Sequence, residues 1–280
     1  MRKSKSLHLI LRGAGWCCIT IVVLIGIFIL LKSYPFIQQM GISVLWQDDR
    51  WAPTQGLFNL VPIFVGSILV TMGAVLVAGP IGVLLAIFGQ FYAPVWVAKI
   101  YRGLIELLAG IPSVVYGFWG LIVLVPIINN IAPPGASLLA GVIVLAVMIL
   151  PIVVLAADSA FEQVPEKWMV AADALALQTW SKVYVIALPH AMPAIVSGVI
   201  MQSARALGET MAVLMVTGNI VQIPLSIFEP VRTLTANIAL EMAYATDMHS
   251  HALFVSALIL FMLTFLLVYL KNKLAGLRHE

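Results

Sequence analysis

The chain alternates between long apolar runs and short polar interruptions. No charged residue occurs between Arg12 and Lys32, Arg50 and Lys99, Glu106 and Asp158, Glu209 and Glu229, or Asp247 and Lys271. A helix that crosses a bilayer needs about 20 mostly apolar residues, and each run holds one such helix or two. The pattern predicts six spans, at 14–32, 60–88, 101–127, 136–157, 193–217 and 251–270. Asn129, Asn130, Pro133, Pro134 and Gly135 separate the third from the fourth, because these residues favour a hydrated turn. Pro80, Pro112 and Pro151 fall inside spans, where neighbouring helices can take up the freed backbone groups.

Composition turns this pattern into a class. Hydrophobic residues make up 62% of the chain and charged residues 10%, against about 45–50% and 25% in soluble domains. The expectation is an all-α polytopic membrane protein forming a single domain over residues 1–280. The net charge of +3 is small and dispersed, which argues against a nucleic-acid partner. Cys17 and Cys18 are adjacent, a spacing that rarely bridges and makes a poor metal site, so they read as small apolar residues. Arg2, Lys3 and Lys5 give the start a signal-peptide flavour. The apolar run is too long for one, and no small-x-small cleavage site follows in Lys32–Met40. The first span is therefore read as retained.

Orientation follows from the basic residues. With the N-terminus in the cytoplasm, the inner segments hold Arg2, Lys3, Lys5, Arg12, Lys99, Arg102, Lys167, Lys182, Lys271, Lys273 and Arg278, and the outer ones only Lys32, Arg50 and Arg232. Six spans then return the C-terminus to the cytoplasm. No internal repeat is apparent, which disfavours repeat-built secondary transporters.

The inner segment 158–192 is too polar to span, since Asp158, Glu162, Glu166, Lys167, Asp173, Gln178 and Lys182 interrupt it. It is nonetheless patterned as helix. Pro165 suits a first position, Glu166 suits the positive end of the helix dipole, and Ala171, Ala172, Ala174 and Ala176 favour helix. Trp168, Leu175 and Trp180 supply larger apolar contacts, and Pro189 is expected to stop the next helix from continuing this one. From residues alone, this helix either docks in a partner's groove or rests on the bilayer surface.

The run MVAADALALQTWSKVYVIALP, residues 169–189, resembles the permease signature of ATP-binding-cassette importers. Aligned on Trp180 and Pro189, the two signature alanines fall on Ala171 and Ala172. Val170 stands where the signature has Glu, and Ala176 where it has Gly. The resemblance implies a type I importer permease fold. It also implies that 158–192 is a coupling loop fitting a cleft on an ATPase dimer, with Pro165, Trp168, Ala171, Ala172, Asp173, Ala176 and Trp180 as contact residues. ELLAGIPSVVYGFWGL (Glu106–Leu121) and ARALGETMAVLMVTGN (Ala204–Asn219) resemble the phosphate importer permeases, and the second stretch is closer to the PstC-type subunit than to its PstA-type partner. The similarity covers about residues 60–270, with 14–32 as an extra span. It implies a second related permease and an extracytoplasmic phosphate-binding protein. It places ATP and Mg on the partner ATPase and no cofactor in this chain.

Arg205 and Glu209 fall inside the predicted fifth span, four residues apart and so expected on one helix face, with Gly208 between them leaving space for a neighbouring backbone. A charge at that depth costs about 2.5–3.5 kcal/mol on insertion scales, so the pair should face the bundle or a hydrated path. It either locks helices together or helps an oxyanion cross, with Arg205 offering a planar fork to phosphate oxygens and Glu209 offsetting its charge. Glu106 either pairs with Arg102 four residues earlier or lines the path, and Pro112 and Ser113 soon after it mark a break in that helix whose freed carbonyls would line a cavity. His190 sits beside Pro189, and His249 and His251 read as a solvated loop. The outer loops 33–58 and 218–250 carry Trp46, Trp51, Asp48, Asp49, Glu229, Arg232 and Glu241, with Trp suited to the membrane interface. No phosphate-cradling G-x-x-x-x-G-K-[ST] run, nucleophile elbow or zinc-ligand spacing is present. The reading is a non-enzymatic transporter subunit. Permeases for sulfate, molybdate or phosphonate, a secondary transporter or channel, and an intramembrane enzyme are the alternatives.

Overall fold

A computed structural model describes residues 2–276 of the chain, so Arg278 lies outside the described residues. The chain divides into two compact units, one running to Leu60 and including Ile238–Met262, the other comprising Val61–Asn237 and the segment from Leu263 onward. Among the described residues, five helical stretches are long and apolar enough to cross a membrane, and a bent pair brings the number to six if it counts as one span.

The first unit is built on α1 (Arg2–Met40), which extends well beyond the predicted 14–32. A short helix, α2 (Val44–Gln47), and a two-stranded hairpin, β1 (Trp51–Ala52) and β2 (Leu57–Phe58), follow it. Phe36 packs edge-on against Phe58, which meets Trp51 in the same way. Trp51 Nε1 donates to Glu241 Oε2 at 2.8 Å, and His249 Nε2 lies 2.8 Å from the same oxygen. His249 is thus part of a largely buried cluster and not of a solvated loop. Trp51 is buried as well, whereas Trp46 is exposed. Tryptophan position alone could not distinguish the two.

The second unit opens with α3 (Val61–Ile87), which runs through Pro80 and ends in a π turn, Phe88–Tyr92. The predicted third span is broken at Pro112 and Ser113, as the sequence indicates. Gly110 ends α4 (Val95–Ala109), Pro112 precedes α5 (Ser113–Trp119), and the chain bends by 92° between the two arms. Proline removes an amide donor and drives the residue before it out of the helical region. Tyr116 Oη donates to Leu108 O at 2.7 Å, taking up one carbonyl that the break releases. A π turn and α6 (Val125–Asn129) complete this arm.

The central element is α7 (Leu138–Glu162), about 37 Å long at 1.5 Å per residue. Val144, Leu145, Ile149, Val153 and Val154 are fully or almost fully buried along it. Gly82 of α3 faces it so closely that a Cβ there would lie 2.6 Å from Val153 Cγ1, so the two helices meet at near-backbone distance. The first amide groups of a helix have no partner inside it. At α7 they find partners nearby. Ser137 N–H donates to Val216 O at 3.1 Å, Leu138 N–H to Glu229 O at 2.8 Å and Leu139 N–H to Ile227 O at 2.8 Å. Ala140 N–H donates to Ser137 Oγ at 3.3 Å.

Beyond α7 come α8 (Glu166–Ala174), α9 (Thr179–Lys182), α10 (Leu188–Leu207) and α11 (Met211–Val216). Then follow α12 (Leu234–Glu241) and α13 (Asp247–Gly276). Residues Thr179–Leu207 form one helical stretch, about 43 Å long. Pro189 therefore does not end the helix. The wider π turn at Val183–Ala187 seats it just beyond, in the first turn of α10.

Replacing Ser137 by Ala should cost about 1 kcal/mol, the usual value of a lost N-cap. A lowered melting temperature of the purified protein would show it.

Candidate functional site

The segment after α7 forms a compact hook. Pro165 caps α8 at its start with Glu166 in the first turn. The helix then closes on Ala176, whose φ of +52° is left-handed. Leu177 N–H donates to Ala172 O at 3.1 Å and Ala176 N–H to Asp173 O at 2.9 Å. This bond pair is the Schellman closure, and glycine is its usual occupant. Alanine keeps the turn here, at the expense of backbone strain.

Lys182 of α9 pairs with Asp173 across the hook. Trp168 packs edge-on against His190 with centroids 4.9 Å apart, and Trp180 stacks on Tyr184 at 5.2 Å. Ala172 is buried within the hook. Leu175 is 74% exposed and Trp180 62%, and Trp168 and Val170 are also exposed. A shallow groove of about 450 Å³ runs between Trp168, Ala171, Leu175, Val185 and His190. All seven residues expected at a docking surface lie on this one hook, but buried Ala172 presents no surface to a partner and serves the hook's own packing.

The expected charge pair is not formed. The helix carrying Arg205 ends at Leu207, so Glu209 lies beyond it and no common face exists. Among the described residues no ion pair joins the two. Arg205 is exposed on the chain's surface. Glu209 Oε1 instead accepts from Ala212 N–H at 3.2 Å in the first turn of α11, and its carbonyl accepts from Thr235 Oγ1 at 2.8 Å. Gly208, read from sequence as a close-packing position, is where the helix stops.

Glu106 does not claim Arg102 either. Arg102 Nη2 lies 2.7 Å from Glu162 Oε1 and 3.7 Å from Asp158 Oδ2, both on the last turns of α7. Glu106 borders the same cleft, about 740 Å³, with Lys99, Tyr101, Arg102, Asp158 and Glu162. Sequence reasoning missed this cluster because its partners lie about 60 positions apart in the chain.

The description "binding-protein-dependent transport system inner membrane component" belongs to the family model that matches residues 78–274. The chain is a member of that family. It is 36% identical over 279 residues to the "Probable ABC transporter permease protein YqgH" of Bacillus subtilis, covering 97% of this chain and 90% of that protein. It is 33% identical over 253 residues to the phosphate transport system permease protein PstC of Pasteurella multocida, covering 83% of this chain and 79% of that protein. The inward-facing MetNI methionine ABC transporter matches with a TM-score of 0.57 at 17% identity, over 76% of this chain and 91% of that one, and shows the shared fold. This permease is a multi-pass inner-membrane subunit of an ABC importer. Permeases of the family work with an ATPase and a substrate-binding protein.

Two features of this permease depart from the family signature, Val170 for Glu and Ala176 for Gly. The second has a direct physical cost. A left-handed alanine is strained by about 1–2 kcal/mol. Ala176→Gly should therefore raise the thermal stability of the assembled transporter by about 1 kcal/mol, read as a higher melting temperature. A fall would mean that the alanine methyl makes a contact worth more than the strain.

Proposed function

We propose that this chain is the PstC-type permease of an ATP-driven phosphate importer, forming half of the translocation path beside a second, related permease. The observation that carries the coupling part is the rigid hook at Pro165–Trp180, which buries Ala172 and presents exposed Trp168, Leu175 and Trp180. Such a prefolded apolar knob fits a groove on a partner with little ordering cost. In this reading an ATPase dimer in the cytoplasm grips the hook, binds ATP and Mg, and drives the two permeases between outward and inward access. The hook side and both termini then face the cytoplasm, in line with the basic-residue bias. An extracytoplasmic phosphate-binding protein delivers the cargo. Likeness to PstC relatives over most of the chain supports phosphate over sulfate, molybdate or phosphonate.

Arg205, Glu209 and Glu106 are proposed to line or gate the path, in altered roles. Exposed Arg205 is placed to meet an oxyanion or the second permease. Glu209 supports the path through the turn it caps. Glu106, at the cleft, faces the exit side.

Oxyanion-stimulated ATP hydrolysis tests the cargo. In liposomes holding both permeases, the ATPase and the binding protein, phosphate should raise the rate, and sulfate or molybdate should leave it at the basal level. The reverse order would reassign the cargo.

Substitutions separate charge from capping at Glu209. Gln retains an acceptor for the α11 amide, whereas Ala removes it at a cost of about 1 kcal/mol. If capping is its role, Glu209→Gln imports phosphate at the parental rate and Glu209→Ala is less stable. Arg205→Gln should assemble normally and import at least about tenfold more slowly, the scale of one lost charge-assisted contact. Parental import by that variant would remove Arg205 from the path.

A further inference from the structure

Three observations meet at the lower end of α7. First, Arg102 of α4 is held between two carboxylates on successive turns, Glu162 at 2.7 Å and Asp158 at 3.7 Å. Only the shorter contact is a hydrogen bond. Second, Asp158 is the buried partner, with 8% of its side chain exposed, whereas Glu162 is about half exposed. Its second oxygen, Oδ1, is buried with no protein hydrogen-bond partner, and so is Tyr101 Oη beside it. Third, both groups border the cleft of about 740 Å³, so the guanidinium has room to shift. A buried carboxylate that lacks donors is costly, and a guanidinium fork could serve both of its oxygens at once. The arrangement is therefore short of one partner in this state and has that partner one turn away.

Glu162 is also the last residue of α7, three positions before Pro165 opens the hook. Of the three charged groups, Glu162 lies nearest the hook along the chain. We infer that Arg102 is a positioning residue of the transport cycle. It rests on Glu162 in this state and transfers to Asp158 when the hook moves, carrying α4 and the bent arm α4–α5 with it. The inference rests on the coupling reading of the hook but not on phosphate as the cargo. Exchange between two carboxylates gives the bent arm two discrete seats, as a two-state access change requires.

The test uses the full complex with its ATPase and second permease. Cys17 and Cys18 are replaced by Ser, and Lys99→Cys at the cleft is labelled with a maleimide, with and without ATP. This readout needs no cargo, so it fails separately from the phosphate assignment. The parent should show an ATP-dependent change in labelling. The charge swap Arg102→Glu with Glu162→Arg rebuilds the resting pair but sets a carboxylate against Asp158. It should restore complex yield while cutting the ATP-dependent change about tenfold, the scale of one charge-assisted contact. Asp158→Asn, nearly isosteric, should do the same without touching Glu162. Arg102→Lys should keep part of the response, since a single charge survives without the fork.

Full recovery of both yield and labelling in the swap would make the pair a static clasp and overturn the inference. So would a parental response from Asp158→Asn, or variants that lose yield and response in equal proportion. Absence of any ATP effect in the parent would overturn it together with the coupling reading.

Discussion

A polar backbone group released inside a bilayer has no water to turn to, so every break in a spanning helix must be met from within the protein. This constraint organises the second unit. At the start of α7 the amides of residues 137–140 donate to the carbonyls of Val216, Glu229 and Ile227 and to Ser137 Oγ. The loop between α11 and α12 supplies two of those carbonyls, Glu229 and Ile227, and the end of α11 supplies the third. Val231 N–H in turn donates to Thr217 O, which ties the loop's two ends together. The same accounting appears at the bend after α4, where the Tyr116 hydroxyl takes Leu108 O, and after α10, where the Glu209 carboxylate takes an amide of α11. Residues that look ready for transport in the sequence are partly occupied in holding broken helices together.

Function follows from where these repairs leave freedom. One end of α7 is tied to its neighbours by three hydrogen bonds, while the other ends in half-exposed Glu162 and the hook. The hook is rigid in itself, closed by the left-handed Ala176 and by the Lys182–Asp173 pair. A rigid handle on an element pinned at its far end is suited to transmitting motion without absorbing it.

Much of this was legible in the residues. The run bounded by Pro133-Pro134-Gly135 and the acids from Asp158 onward gave α7 to within a few positions, because period and length agree there. The hook was legible through its prolines, alanines and tryptophans, and through the permease signature. What failed had one physical source: local rules were applied where tertiary packing decides. Pro189 looked like a stop because a π turn leaves no mark in composition. Arg205 and Glu209 looked like a helical pair because Gly208 was read as a packing residue and not as an end. His249 looked solvated because its partners, Trp51 and Glu241, are contributed by separate stretches of chain. For Arg102 the only partner visible in the sequence was its neighbour Glu106, one of two open readings, whereas α7 offers two better-placed carboxylates.

The length of α7 has a mechanical corollary. A stiff rod of about 37 Å hinged at one tip sweeps its other tip through about 3 Å for a tilt of only five degrees. Asp158 and Glu162 ride on this rod about 6 Å apart, so the arc carries both of them past Arg102 almost together. Large rearrangement of the membrane core is then unnecessary at this point. A swivel small enough to leave the buried valines of the rod in register is sufficient to move its acidic end against α4, and the swing of the guanidinium within its cleft then selects the carboxylate it grips.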